Sequence, residues 1–165
     1  MEPLKQPRED IIPAIESLLD LQGAEPVDRL LERVLDKVLE SLDCAVGTLH
    51  ELDPSTNVLV LRAQRGVPDS VLAEVRRVPV GKGMAGLAAE RRAPVQVCNL
   101  QTDASGVARP GARATGAQGS IAVPVLVRGE LRGAFGVGKR SAHDFSEAEA
   151  AEILRVASLL GERLF

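Results

Sequence analysis

The chain has 165 residues, a formal net charge of −3 and 45% hydrophobic residues, values typical of a globular protein with one domain. They exclude a fibrous or compositionally disordered chain, and the small negative charge, with only three Phe and no Tyr or Trp, gives nucleic acid little to bind. No apolar run approaches the roughly 20 residues that a membrane span requires, and no signal segment is recognisable. We therefore expect a cytoplasmic protein that neither enters a membrane nor binds nucleic acid.

The first predicted element is a helix over residues 9–21. Its apolar spacing places Ile11, Ile15 and Leu18 on one face. We expect this short stripe to lie outside the main core. We interpret residues 1–25 as a helical extension whose stripe packs in a dimer.

The main domain is predicted to span residues 26–165. It opens with a helix over residues 27–42, whose apolar stripe is broader than the first. Residues 45–52 and 57–64 then read as two strands of a β-hairpin, because the sequence Asp-Pro-Ser-Thr between them favours a tight turn.

The middle of the chain predicts two helices, a strand and a long loop. The helices cover residues 68–78 and 84–92, and the strand covers residues 93–99. Residues 99–117 are rich in Gly, Ala, Ser and Thr and show no periodicity. A loop of this length is usually functional or mobile, so we expect the function of the protein to lie there.

Three glycines in the middle of the chain match the spacing G-x-G-x-x-G, which in some enzymes binds a dinucleotide. They are Gly81, Gly83 and Gly86. The fingerprint requires a β-α-β unit, whereas here two antiparallel strands precede the glycines, and Asp103 falls in the irregular loop instead of ending a strand. We therefore interpret the glycines as a sharp turn into a helix that packs closely on its neighbour.

The end of the chain predicts a second hairpin and a long helix. Residues 118–127 and 130–138 flank an Arg-Gly turn. The helix begins at Ser146, because Glu149 three residues later completes the pattern of a capping box.

Two long stretches of the sequence together resemble a GAF domain. They are residues 78–100, "VPVGKGMAGLAAERRAPVQVCNL", and residues 119–164, from "GSIAVPVLV" to "GERL". The resemblance covers about residues 26–165. It implies a PAS-related α+β fold with a central antiparallel sheet of about six strands, helices from both chain ends on one face, and a ligand pocket under loops on the other.

The resemblance also implies a sensory or regulatory role. We expect a non-enzymatic signalling module that binds a small molecule or forms a homodimer and passes its signal to a separate partner protein; no cofactor or ligand can be named. The expected pocket lies between the sheet and residues 98–119. Its candidate residues are Cys98, Leu100, Asp103, Val107, Arg109, Arg113, Ser120 and Ile121.

Two readings of the candidate pocket remain open. Arg109 and Arg113 are the best charged candidates for an anionic ligand, although arginines that only solvate a mobile loop are the more common case. If Leu100, Val107 and Ile121 fill the space, the protein is instead an interaction module with a closed and empty pocket.

GAF domains of cyclic-nucleotide phosphodiesterases carry a motif that this sequence keeps only in part. Gly138 and Ala150 depart from it, whereas Lys139, Phe145 and Glu149 match. The resemblance implies that Lys139 and Glu149 form a structural pair at the lid of the pocket. The departures, together with the lack of Tyr and Trp, argue against a cyclic nucleotide as ligand.

The enzyme alternative within the family is free methionine-(R)-sulfoxide reductase, whose chemistry needs an attacking and a resolving thiol. Cys44 and Cys98 are the two thiols of this chain, and the loop that should carry them, residues 99–120, has none. We therefore expect no enzymatic activity. Neither these cysteines nor His50 and His143 show the spacing of metal ligands, so we expect no metal and interpret both histidines as structural.

Overall fold

The computed structural model describes residues 10–165, which form a six-stranded sheet and six helices. The strands are β1 (Val46–Asp53), β2 (Val58–Arg65), β3 (Arg77–Pro79), β4 (Val95–Val97), β5 (Ser120–Val127) and β6 (Glu130–Gly138). The helices are α1 (Ile12–Leu19), α2 (Val27–Leu42), α3 (Asp69–Val75), α4 (Gly83–Arg91), α5 (Pro110–Ala114) and α6 (Glu147–Leu164). The strand order is β3-β2-β1-β6-β5-β4, and every neighbouring pair is antiparallel. The α+β class and the six-stranded sheet predicted from the sequence are confirmed.

Two hairpins form the centre of the sheet and pair with each other through β1 and β6. The β5–β6 hairpin turns at Arg128 and Gly129, whose φ angles of 52° and 79° are both positive. Two successive positive φ angles are the mark of a type I′ turn, which follows the right-handed twist of the strands. The antiparallel pairing throughout the sheet also excludes the parallel β-α-β unit of a dinucleotide fold.

Helices α1, α2 and α6 cover one face of the sheet, which we call the helix side. Its core contains most of the largest buried side chains of the described residues, among them Ile15, Leu19, Leu31, Leu35, Leu49, Phe135, Ile153 and Leu160. These helices come from the two ends of the described chain, as predicted.

Helix α1 is part of this core, so the expectation of a stripe outside it was wrong. Ile15 and Leu19 are fully buried, and α1 contacts both α2 and α6. The end of α1 is also tied to α6, because the Arg163 carbonyl accepts a hydrogen bond from Gln22 at 3.0 Å and the Arg163 guanidinium pairs with Asp20 at 3.1 Å. The apolar stripe is therefore satisfied within the chain.

The opposite face, which we call the cavity side, carries α3, α4, α5 and residues 98–119, the roof segment. The glycines before and within α4 let the chain pack tightly there: Gly81 and Gly83 have φ angles of +92° and +65°, and a Cβ on Gly86 would lie 2.5 Å from the Pro79 carbonyl oxygen. The interpretation of a sharp turn into a closely packed helix is confirmed.

Two regions differ from the sequence prediction. The helix predicted over residues 68–78 ends at Val75, and the chain continues as the edge strand β3, which pairs with β2. The loop predicted over residues 99–117 contains the five-residue helix α5. Pro110 occupies the first turn of α5, where its missing N–H is not needed.

Helix α6 begins with the predicted capping box. Ser146 Oγ accepts a hydrogen bond from the Glu149 backbone N–H at 3.1 Å, and Glu149 Oε1 accepts one from the Ser146 N–H at 3.0 Å. Among residues 10–165, no helix combines the length and the apolar character needed to cross a membrane.

Candidate functional site

A cavity of about 140 Å³ lies on the cavity side, between the sheet and helices α3, α4 and α5. Strands β1, β5 and β6 form its floor, and the roof segment closes part of its top. Aliphatic side chains make up most of the wall, including Val46, Val67, Val75, Val78, Met84, Ala85, Leu100, Ala112, Ala117 and Ala122. The structure thus places an apolar cavity between the sheet and the roof segment.

The structure brings half of the predicted pocket residues to this cavity. Leu100, Arg109, Ser120 and Ile121 line it, and Cys98, Asp103, Val107 and Arg113 do not. Leu100 is buried in the cavity wall without closing the space, whereas the Ile121 side chain packs in the helix-side core and the residue borders the cavity only from its strand.

Asp103 and Arg113 are held by the roof segment itself. The Arg113 guanidinium donates to the Asp103 backbone carbonyl, and the Asp103 carboxylate accepts a hydrogen bond from Ser105 Oγ at 2.6 Å. Arg113 therefore stabilises the loop and does not point a free charge into the cavity. Val107 is half-buried and packs against two small apolar clusters under the roof.

His50 is a cavity residue that the sequence analysis interpreted only as structural. It lies on β1, is 2% exposed and lines the cavity. Its Nε2 lies 2.7 Å from the Val75 carbonyl oxygen, and because a carbonyl can only accept, Nε2 carries the proton. Burial lowers the pKa of His50, against the opposing effect of the Val75 hydrogen bond, so the ring is neutral at pH 7.

The second ring nitrogen of His50 is a buried acceptor with no partner. In the neutral tautomer set by Val75, Nδ1 carries a lone pair, and no described residue donates to it. A buried acceptor left unsatisfied destabilises a protein by about 1–3 kcal/mol. Such groups are rare in folded proteins, and each calls for an explanation, such as a functional role or a bound water or ion.

Three charged side chains stand around the cavity: Glu74, Lys82 and Arg109. All three are exposed, and none makes an ion pair with another residue in the range 10–165. The stem of Arg109 lies against Gly83, where a Cβ would be 3.0 Å from Arg109 Cδ, and the Glu74 carboxylate lies against Gly111. The surroundings of the cavity therefore carry one positive charge more than negative.

The two cysteines lie away from the cavity. Cys98 is exposed at the end of β4, and partial desolvation, together with the nearby Asp144 carboxylate, raises the pKa of its thiol. Cys44 is half-buried beside the helix-side core. Within the described part of the chain, no three His, Cys, Asp or Glu side chains are grouped so that they could hold a metal ion.

The expected pair of Lys139 and Glu149 is not formed, because each residue has another partner. Lys139 Nζ donates to the Leu42 carbonyl at 2.6 Å, at the end of α2, where helix carbonyls lack partners within the helix. Glu149 Oε1 lies 3.1 Å from His143 Nε2 and also caps α6. The two side chains thus stabilise different joints of the fold.

The sequence did carry a signal for His50. Side chains alternate between the faces of a strand, so residues 46, 48 and 50 share one face of β1. In the structure Val46, Thr48 and His50 all line the cavity. Glu74 and Lys82 gave no such signal, because α3 and the turn before α4 reach the cavity only through tertiary packing.

Comparisons of sequence and fold show which known proteins the chain is similar to. The family model described as "GAF domain" matches residues 24–164, which is most of the chain. No curated protein matches the sequence. The fold is similar to that of the GAF domain of a phosphoenolpyruvate-protein phosphotransferase from Coxiella burnetii, with 23% identity, a TM-score of 0.75, and 94% of this chain and 92% of that chain covered.

Two further solved structures share the fold and carry different designations. One is the free methionine-R-sulfoxide reductase of Neisseria meningitidis in complex with its substrate, at 20% identity and a TM-score of 0.75, covering 99% of this chain and 95% of that chain. The other is a protein of Burkholderia vietnamiensis designated a GAF sensor, at 21% identity and a TM-score of 0.70, covering 92% of this chain and 90% of that chain. The match of the family model over residues 24–164 shows that the chain belongs to the GAF domain family.

Proposed function

We propose that this protein is a regulatory GAF module that binds a small molecule in the cavity, has no enzymatic activity and passes its signal to a separate protein. The observation that carries the proposal is the cavity itself. Leu100 lies in its wall and the Ile121 side chain packs in the helix-side core, so a space of about 140 Å³ remains beside them. An apolar space with a few polar groups is the usual form of a small-molecule site.

The size of the cavity limits the ligand. A cavity of about 150 Å³ in another protein binds benzene, so about 140 Å³ suits a molecule of roughly six to eight non-hydrogen atoms. None of the three Phe lines the cavity, so a purine would find no Phe ring on which to stack. Both points favour a small aliphatic ligand over a nucleotide.

The position of the cysteines supports the non-enzymatic reading. A thiol that reduces a sulfoxide must be a thiolate beside the bound substrate. Neither Cys44 nor Cys98 lines the cavity, and the raised pKa of Cys98 keeps its thiol protonated. Turnover of free methionine sulfoxide with a reductant present would refute this part of the proposal.

The binding test uses one substitution at two positions of α5. Ala112 lines the cavity, and Ala114 on the same helix is exposed. We expect Ala112→Leu to fill the space and Ala114→Leu to leave it open. A library of neutral and anionic molecules of about six to eight non-hydrogen atoms is screened by thermal shift, and a ligand at ten times its Kd raises Tm by about 3–5 °C.

The expected result is a set of compounds that stabilise the wild type and A114L but not A112L. Native mass spectrometry of gently purified protein adds a check for a retained small molecule. If no compound shows this pattern and none is retained, the cavity is not a binding site and the protein is an interaction module.

We further propose that the module forms a homodimer through a shallow groove between α1 and α6. The groove is lined by Ile12, Leu154, Arg155, Ser158, Leu159 and Glu162. Two α6 helices that cross antiparallel about a two-fold axis near residue 158 bring Arg155 of one copy opposite Glu162 of the other. A two-fold contact of this kind is self-complementary in charge.

Light scattering tests the dimer. We expect a dimer mass for the wild type at micromolar concentration, a monomer for Arg155→Glu, and recovery of the dimer when Glu162→Arg is added to it. A monomeric wild type would contradict the proposal. A dimer that is indifferent to both changes would place the interface elsewhere.

A further inference from the structure

The inner wall of the cavity has one feature that its size and apolar character do not explain. His50 is the buried polar residue with an unpartnered atom in this wall. Its Nε2–H is engaged by the Val75 carbonyl at 2.7 Å, and no described residue donates to Nδ1. Nδ1 is left as an acceptor in apolar surroundings.

From this geometry we infer that His50 selects the ligand: the cavity takes a small aliphatic molecule with a neutral O–H or N–H group, which donates a hydrogen bond to His50 Nδ1. The inference rests on the proposed function and names the ligand class of the same cavity. The one hydrogen-bond partner that the ring still lacks is a donor to Nδ1. An acceptor on the ligand would face the Nδ1 lone pair and could not form a hydrogen bond with it.

The donor should be uncharged. An ammonium group placed in the apolar part of the cavity would need a buried counter-charge to offset its desolvation. The carboxylate among the residues around the cavity is that of Glu74, which is exposed, and most of the other lining side chains are aliphatic. An alcohol or a primary amide meets the requirement, and an amine or a purely apolar molecule does not.

The other polar groups of the wall do not compete for this role. The Thr115 hydroxyl donates to the Ala112 carbonyl at 2.6 Å, the Ser120 hydroxyl lies 3.4 Å from the Gln118 carbonyl oxygen, and Thr48 also lines the cavity. All three hydroxyls can rotate to suit a ligand or a backbone group. The tautomer of His50 leaves Nδ1 able only to accept a hydrogen bond, whereas a hydroxyl can donate or accept. His50 therefore discriminates between donor and acceptor ligands more sharply than the hydroxyls do.

Two isomers provide a matched pair of probes. 1-Pentanol and butyl methyl ether contain the same atoms and have similar volume, but only the alcohol can donate. We expect the alcohol to bind the wild type at least about fivefold more tightly than the ether, because it satisfies an otherwise unpaired buried acceptor. Binding is measured by ligand-observed NMR titration.

Two variants of His50 locate the preference. His50→Gln keeps a donor and an acceptor, and we expect it to retain a preference for the alcohol. His50→Leu has no acceptor, and the two probes should then bind equally. Should His50→Leu fail to fold, the 15N resonance of Nδ1 in the wild type gives a second measure: it should move upfield with 1-pentanol and stay in place with the ether.

The outcomes separate this inference from the proposed function. Equal binding of alcohol and ether by the wild type, or an unmoved Nδ1 resonance with 1-pentanol bound, would overturn the role of His50. The failure of both probes to bind would overturn the assigned ligand class. The cavity would still be a binding site in either case if other compounds stabilise the wild type and A114L but not A112L, and only the loss of that pattern defeats the proposed function.

Discussion

The two faces of the sheet carry side chains of different size on the same strands. On the helix side, β1 and β6 present Leu49 and Phe135, which are fully buried. The residues adjacent to them, Thr48 on β1 and Gly136 on β6, face the cavity side and line the cavity. Alternation along a strand therefore separates the two tasks: odd positions fill a dense core, and even positions leave a space that a ligand can occupy.

The largest expected effect contrasts two buried leucines. Leu49→Ala removes a fully buried side chain from the helix-side core, and we expect it to lower the free energy of unfolding by about 3–5 kcal/mol. Leu100→Ala changes a residue that already borders a cavity and lies in the roof segment, which can adjust, so about 1–2 kcal/mol is expected. Urea unfolding followed by far-UV circular dichroism measures both. Equal losses would show that the two faces are equally well packed.

A smaller effect tests the close packing of α4 on the cavity side. Gly86→Ala would place a Cβ 2.5 Å from the Pro79 carbonyl oxygen, and backbone atoms must move to admit it. We expect a loss of about 1–3 kcal/mol in the same unfolding assay. Helix propensity alone would favour alanine by about 1 kcal/mol. The sign of the change in the free energy of unfolding therefore shows whether propensity or the close contact with Pro79 dominates. A more stable variant would mean that α4 can shift away from β3 freely.

The smallest expected effect is a dependence of the free energy of unfolding on pH, which arises from His50 on the cavity side. Burial lowers the pKa of His50 below its ordinary 6.5, so the unfolded chain binds a proton more readily than the folded one. The free energy of unfolding should therefore fall as pH drops below about 6.5 and continue to fall until the folded state is protonated. Glu149 and Asp53, whose pKa values are lowered from 4.5 and 3.8, lose their contributions only at more acidic pH.

The control for this slope is His50→Gln, which cannot titrate. Stability is compared between pH 7.5 and 5.5 for the wild type and the variant. We expect the wild type to lose stability over this interval and the variant to lose less. Parallel curves for the two proteins would show that His50 has the same pKa in the folded and unfolded states.

The sequence predicted those parts of the fold that local patterns determine. The strand predicted over residues 130–138 matches β6 at both ends, and the start of α6 follows from the capping box of Ser146 and Glu149. Both depend on residues within a few positions of each other. The family resemblance added the arrangement of the helices, which no local pattern contains.

The parts that were missed depend on contacts between distant residues. Strand β3 has only three residues and forms because it pairs with β2. No local pattern marks so short a strand, so the helical spacing of the preceding residues was extended through it. Lys139 and its acceptor Leu42 are 97 positions apart. Asp103 and Arg113 missed the cavity for a different reason, since contacts within the roof segment itself engage them.

The turn before α6 joins the two faces at one corner of the molecule. The His143 backbone N–H donates to the Cys98 carbonyl at 3.0 Å, where the roof segment begins, while the His143 ring contacts Glu149 in the first turn of α6. His143 thus contacts both the start of the roof segment and the first turn of α6. Leu154 and Leu159 of α6 line the groove proposed for the dimer, so under the two proposals above this corner would connect the ligand cavity to the second copy.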